Sequence, residues 1–141
     1  MRVSRPFEYQ DELIVVQVTL RGPRGIARRR LVLDTGAAAT TILPEILDEI
    51  GYSARDGNKL SKVHSAIGEE HGYSLHLAEF SALGVTTPNF MVNVFDLGVD
   101  GFDGLLGMNF LRHFNFEVRP FDRQILVELI SGDWSSTLGD G

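Results

Sequence analysis

The most informative segment of the chain is Leu31-Val32-Leu33-Asp34-Thr35-Gly36-Ala37. A run of apolar residues leads directly into a carboxylate, a small hydroxyl residue and a glycine, so we predict a strand that ends in a tight turn at Asp34. Gly36 permits a turn that a Cβ would hinder, and it lets another group approach the carboxylate closely. Asp and Gly are also common at ordinary strand ends, so these three residues do not define a site by themselves.

Two further segments follow in a fixed order. Residues 62–67 and 73–78 are strand-like, and Gly68-Glu69-Glu70-His71-Gly72 joins them as a predicted hairpin tip with a glycine hinge at each end. Gly104-Leu105-Leu106-Gly107-Met108 comes later and precedes a short helical pattern. A plain surface hairpin would also fit the middle segment.

In this order the three segments resemble those of retropepsin-like aspartic proteases, the single-domain class that includes retroviral proteases. The resemblance extends over residues 13–130. It implies an all-β fold, a small closed β-barrel with one or two short helices, that works as a homodimer. It assigns catalysis to Asp34, Thr35 and Gly36, with Thr35 bonding across the two-fold axis. It assigns peptide binding to Ala37, Gly68, Glu69, Glu70, His71, Gly72, Leu105, Leu106 and Gly107.

The chain departs from the retroviral pattern at three positions. Retroviral proteases continue the motif with two acids, one of which pairs with an arginine just after the late glycine. Ala38, Ala39 and Met108 occupy these places here. Both the acid and the arginine of that ion pair are absent, so the replacement leaves no unpaired charge. The retroviral substrate contacts do not transfer to this chain.

Peptide cleavage by carboxylates needs two of them on one water, and this chain contains a single Asp-Thr-Gly. A bilobal enzyme would need two such motifs, so we expect the second carboxylate to come from a second copy of the chain. Asp103 is an internal alternative, although no Thr-Gly follows it. The substrate would be an extended peptide bound strand-like through its main chain. No cofactor and no metal is implied.

Composition limits the other classes of function. The chain has 141 residues, no cysteine and a net charge of −6, which excludes disulfides and thiolate chemistry and argues against a general role with nucleic acid. No apolar run approaches the length of a membrane span, and the N-terminus lacks a signal-peptide pattern, so we expect a cytoplasmic protein. We expect one domain over 13–130, with an arm at 1–12 and a polar tail at 131–141.

Local patterns predict the individual elements. The predicted strands are 13–20, 26–33, 38–43, 90–95, 115–119 and 124–130, and the predicted helices are 44–50 and 108–114. The arginines at 28–30 are interpreted as solvated charges of an exposed hairpin, in preference to a basic docking patch.

Other constellations fail on spacing. The glycines of 101–107 do not match a dinucleotide-binding loop, and two ligand positions are missing for a calcium loop that begins at Asp96. The four histidines form no metal-binding pattern. Two alternatives to an active peptidase remain: a retropepsin-like module that binds peptides or dimerises with little or no turnover, and a structural β-domain in which Asp-Thr-Gly is accidental.

Overall fold

The structure is a computed structural model that describes residues 1–59, 63–65, 68–70, 72–98 and 101–129. Within these ranges the strands are β1 (Arg2–Pro6), β2 (Glu8–Gln10), β3 (Leu13–Gly22), β4 (Gly25–Leu33), β5 (Thr41–Ile42), β6 (Asn58–Lys59), β7 (Val63–Ser65), β8 (Gly68–Glu70), β9 (Tyr73–Ala82), β10 (Val85–Val94), β11 (Gly104–Leu106), β12 (Asn115–Arg119) and β13 (Gln124–Glu128). The helices are α1 (Pro44–Glu49) and α2 (Met108–Leu111), and a 3₁₀ turn spans Ala54–Asp56.

Six strands close into a barrel in the order β3-β4-β11-β5-β10-β9, because β9 pairs with β3 as well as with β10. β2 and β6 extend this sheet beside β3 and β9. Alternate residues of β3 point inward, so that Val16, Val18 and Leu20 are buried in the core. Phe80, Phe90, Phe110 and Phe114 fill the core with ring contacts. The predicted all-β closed barrel with one or two short helices is confirmed, and the structure has two.

Two tight turns set the register of the barrel. Gly22 pairs with Gly25 across the β3–β4 turn, in which Pro23 and Arg24 are the two central residues. Ala82 pairs with Val85 across the β9–β10 turn. Leu83 and Gly84, which make this second turn, both have positive φ, as hairpin turns that match the strand twist require.

The first twelve residues are built into the fold, where sequence analysis expects an arm. β1 pairs with β13, which pairs with β12 to complete a three-stranded sheet, and β2 pairs with β3. Most residues of β1 are exposed, so the strand carries little of the apolar pattern that marks a strand in sequence. The predicted tail, 131–141, lies outside the described residues.

Several boundaries differ from the prediction. β5 is only two residues long, and α2 ends at Leu111 because the chain leaves it for β12. α1 begins at Pro44 and ends at Glu49, close to the predicted 44–50. No helix within the described ranges is long and apolar enough to cross a membrane.

The middle hairpin is also displaced from the prediction. Gly68–Glu70 forms strand β8, paired with β7, so these residues are one arm of a hairpin and not its tip. The Ser65–Gly68 pair ends this ladder on the side of residues 66–67, which lie outside the described ranges. Gly72 is buried against β10, where a Cβ would lie 2.7 Å from the Val94 oxygen, so close packing accounts for a glycine at this position.

Candidate active site

Asp34 directly follows the last residue of strand β4. Leu31 and Val32 are buried, and the Asp34 N–H donates a hydrogen bond to the Leu106 carbonyl of β11 at 3.0 Å. β4 and β11 run parallel, so their ends meet and Asp34 comes to lie beside Gly107. The two segments that sequence analysis singles out are therefore neighbours in the fold.

The turn after β4 fixes the Asp34 carboxylate. The Gly36 N–H donates to Asp34 Oδ1 at 2.9 Å, and the Ala37 N–H donates to the Asp34 carbonyl at 3.2 Å. A Cβ on Gly36 would lie 3.2 Å from Asp34 Oδ1, which is a tight contact. Asp34 is half-buried and Thr35 is exposed, and the Thr35 hydroxyl makes no hydrogen bond to any described residue.

Gly107 is needed because two chain segments touch at this point. A Cβ on Gly107 would lie 2.7 Å from the Ala39 carbonyl and 2.8 Å from the Ala37 oxygen. The Met108 N–H donates to the Ala37 carbonyl at 2.8 Å, and the Asn109 N–H donates to the Ala38 carbonyl at 3.0 Å. The first N–H groups of α2 thus hold the main chain that follows Asp34.

Thr40 and the half-buried Asn109 form a polar pair that links the same two segments, and we call this pair the brace. No local sequence pattern predicts it. The Thr40 N–H and hydroxyl both donate to Asn109 Oδ1 at 2.8 Å, and the Gly107 N–H donates to Thr40 Oγ1 at 3.1 Å. Asn109 Nδ2 donates to the Met91 carbonyl of β10 at 2.8 Å. Thr40 is fully buried. The only sequence signal is a lone amide in the apolar run of α2.

The structure brings together some of the predicted binding residues. Ala37 and Leu105 are half-buried beside the turn, and Gly107 is buried against it. Leu106 is 0% exposed, so its side chain belongs to the core and only its carbonyl serves the site. Glu69 and Glu70 lie in the separate β7–β8 sheet, and His71 lies outside the described residues.

The Asp103 carboxylate forms a hydrogen bond at a different part of β4. Its Oδ2 accepts the Arg30 N–H at 3.2 Å, and Arg30 precedes Asp34 by four strand residues, about 13 Å at the rise of an extended chain. Asp103 is therefore not the second carboxylate beside Asp34. No cluster of His, Asp or Glu suited to a metal ion occurs in the described part of the chain.

The arginines at 28–30 are mostly neutralised. Arg29 pairs with Glu49, and Arg30 pairs with Glu8 at 2.9 Å. These pairs agree with the interpretation of solvated hairpin charges and leave little basic surface for a docking partner.

This fold and this Asp-Thr-Gly turn define an aspartic protease scaffold. The chain belongs to the aspartyl protease family, whose model matches residues 16–110. A retropepsin-like aspartic protease from Rickettsia conorii is similar in structure, with a TM-score of 0.67 and 17% identity over 90% of this chain and 89% of that one. EIAV protease, solved in complex with the inhibitor HBY-793, is similar with a TM-score of 0.54 and 15% identity over 74% of this chain and 90% of that one. No curated protein sequence matches the chain. At these identities the structural likeness establishes the retropepsin-like fold.

Proposed function

We propose that the protein is an aspartic endopeptidase in which Asp34 residues from two copies of the chain activate one water. The supporting observation is the single Asp-Thr-Gly turn, held at the meeting point of β4 and β11 by main-chain hydrogen bonds. Asp103, the internal alternative, is bonded to Arg30. A two-fold dimer supplies the missing carboxylate, because the same turn then lies on both sides of the axis.

The reaction needs the two carboxylates in different protonation states. The ionised Asp34 accepts a proton from water as the water oxygen attacks the scissile carbonyl carbon. The protonated Asp34 of the second copy donates its proton to the carbonyl oxygen, which gives a neutral tetrahedral intermediate. Collapse of this intermediate breaks the C–N bond: the carboxyl group that took the proton from water gives it to the leaving amine nitrogen, and the other, now ionised, carboxylate takes a proton from a hydroxyl of the intermediate, which restores the singly protonated pair. Two close carboxylates share one proton because double ionisation is costly, and the pair titrates as a unit.

The substrate in this proposal is an extended peptide. Ala37 and Leu105 are half-buried beside the turn and would line its path. The β7–β8 hairpin would cover the bound peptide and exclude water. Thr35, exposed and without a hydrogen bond to any described residue, is available to bond across the dimer axis.

The test is Asp34→Asn, which keeps the shape of the side chain but cannot ionise. We expect peptide cleavage to fall by about 10³-fold or more, with melting temperature and dimerisation retained. Asp96→Asn is the matched control, because Asp96 Oδ1 accepts the Gly98 N–H at 2.8 Å in the same kind of turn. Cleavage of a peptide library across acid to neutral pH, with sedimentation alongside, measures both effects.

Three outcomes would contradict the proposal. Equal cleavage by parent and Asp34→Asn would show that Asp34 is not the catalyst. A monomer that cleaves peptides would remove the shared dyad. If neither protein cleaves but both bind extended peptides, the chain is a peptide-binding module without turnover.

We also propose a cytoplasmic location, which rests on the composition of the chain. Fractionation of cells that express the full-length protein with a detectable tag tests it. Recovery in the membrane or the exported fraction would contradict it.

A further inference from the structure

The edge of β3 that faces away from β4 is uncovered at Gln17, between the segments that pair with β2 and with β9. β2 covers the edge of β3 up to the Glu8–Val15 pair, and β9 covers it from the Val18–Ala82 pair onward. Among the described residues no strand covers the edge between these two pairs. Gln17 therefore lies in a gap in the sheet.

The register of β3 and β4 shows where the main chain of Gln17 points. Gly22 faces Gly25 across a two-residue turn, so even-numbered residues of β3 exchange hydrogen bonds with β4 and odd-numbered residues face the other edge. The N–H and C=O of Gln17 consequently point into the gap. Extending the β2 register would place Pro6 opposite Gln17, and proline has no N–H to donate.

Two cavities lie at this gap. Their volumes are about 290 and 140 Å³, and Pro6 and Gln17 line both of them. The larger cavity is also lined by the hydroxyl residues Thr19 and Ser81 and by Arg5. It has room for a small ligand and offers several hydrogen-bonding groups to it.

Arg5 supplies an uncommitted positive charge at the larger cavity. A Cβ built on Gly84 would lie 2.6 to 2.9 Å from Nη2, Nε and Cζ of Arg5, so the guanidinium rests on the main chain of the β9–β10 turn. No carboxylate among the described residues lies within 4.0 Å of it. Arg30, at the smaller cavity, is by contrast paired with Glu8. A guanidinium without an acidic partner is suited to bind a carboxylate.

We propose that the larger cavity binds a peptide C terminus. The terminal carboxylate accepts hydrogen bonds from Arg5 and from the Gln17 N–H, and the amide N–H of the last peptide residue donates to the Gln17 carbonyl. Gln17 pairs with Arg30, four residues before Asp34, so this cavity lies about 13 Å along β4 from the carboxylate turn. The site is separate from the Asp34 site and does not depend on peptidase activity.

An NMR titration of the full chain tests this site with three probes: N-acetyl-alanyl-alanine, its C-terminal amide, and acetate. We expect the free acid to shift the amide signals of Gln17 and Gly84 and to bind about tenfold more tightly than the amide, because a charged hydrogen bond is lost in the latter. Acetate should bind more weakly than the free acid, since it has no N–H for the Gln17 carbonyl.

Arg5→Gln should remove the preference for the free acid. Arg2→Gln is the matched control, because Arg2 lies on the same strand but pairs with Glu117 at 3.6 Å. Equal binding of acid and amide by the parent, or a preference that survives Arg5→Gln, would overturn the proposal. So would signals that shift around Asp34 and not around Gln17. Acetate binding as tight as that of the free acid would show a simple anion site and overturn the peptide assignment.

Discussion

The Asp34 turn and the β7–β8 hairpin are the two regions proposed to meet the peptide, and they are held in different ways. The turn is bonded to β11 through Leu106, to α2 through Asn109, and to β10 through the Asn109 amide. The hairpin forms a two-stranded sheet of its own, with three residue pairs from Val63–Glu70 to Ser65–Gly68.

This difference matches the two tasks that the proposed chemistry requires. A catalytic carboxylate has to stay within a fraction of an ångström of its working position, so bonds to several elements are useful. A covering segment has to open for substrate and close over it, so a small separate sheet is suitable. The comparison predicts that damage near Asp34 affects stability and catalysis together, whereas changes in the hairpin affect binding.

Gly107→Ala should have the largest effect on stability. Its Cβ would meet the Ala39 carbonyl at 2.7 Å, and main chain cannot move aside as a side chain can. We expect a loss of about 3 kcal/mol and a matching fall in cleavage, since Asp34 is displaced. Gly25→Ala is the control, because its Cβ meets nothing within 4 Å and adds only backbone strain at φ 143°, about 1 kcal/mol. Equal losses in urea unfolding would show that the contact at Gly107 is unimportant.

Asn109→Ala should cost about 2 kcal/mol, because it leaves the buried N–H and hydroxyl of Thr40 without an acceptor. Asn115→Ala, at an exposed residue of β12, should change stability by less than about 0.5 kcal/mol. A double-mutant cycle with Thr40→Val isolates the pair, and we expect a coupling of about 1 kcal/mol. Additive losses would mean that the two residues act independently and that the brace is not a unit.

The hairpin should differ from the turn in hydrogen exchange. Its three-pair ladder belongs to neither larger sheet, so we expect the amides of Val63–Ser65 and Gly68–Glu70 to exchange faster than those of Leu31 and Val32. A transition-state mimic of the pepstatin type should slow exchange in the hairpin more than in the turn. Unchanged exchange in the hairpin on binding would reject its role as a cover, while leaving the Asp34 chemistry standing.

Local patterns in sequence predict only part of this arrangement. The apolar strands β3 and β4 and the proline-started helix α1 carry their own signals, and all three were placed close to their observed bounds. The order of the three motifs indicated the retropepsin-like fold. β1 was missed because its residues are mostly exposed and its partner, β13, is remote in the chain.

The brace of the site was missed for the same physical reason. Thr40 and Asn109 are 69 residues apart, and the sequence around each of them does not predict a contact with the other. The glycines at 68 and 72 misled the prediction of the hairpin tip, because glycine serves close packing as well as turns. Gly72 is required by its contact with Val94. Long-range contacts decide each of these cases.

The smallest effect that we expect is a pH dependence of stability from His113, which follows α2. Burial lowers the pKa of His113 below the ordinary value of 6.5, and Arg112 lowers it further. His113 Nε2 is buried and has no hydrogen-bond partner in the described structure, so the neutral ring is favoured in the fold.

The sign of the effect follows from proton binding. As pH falls below 6.5, the unfolded chain takes up a proton at this histidine before the folded chain does. The contribution of neutral His113 is therefore complete above 6.5 and is lost progressively at lower pH. Urea unfolding at pH 7.5 and at pH 5.5 should show a smaller loss on acidification in His113→Gln than in the parent. His76→Gln, at an exposed residue of β9, is the control and should keep the parental difference. If His113→Gln also keeps it, the acid sensitivity arises elsewhere in the chain.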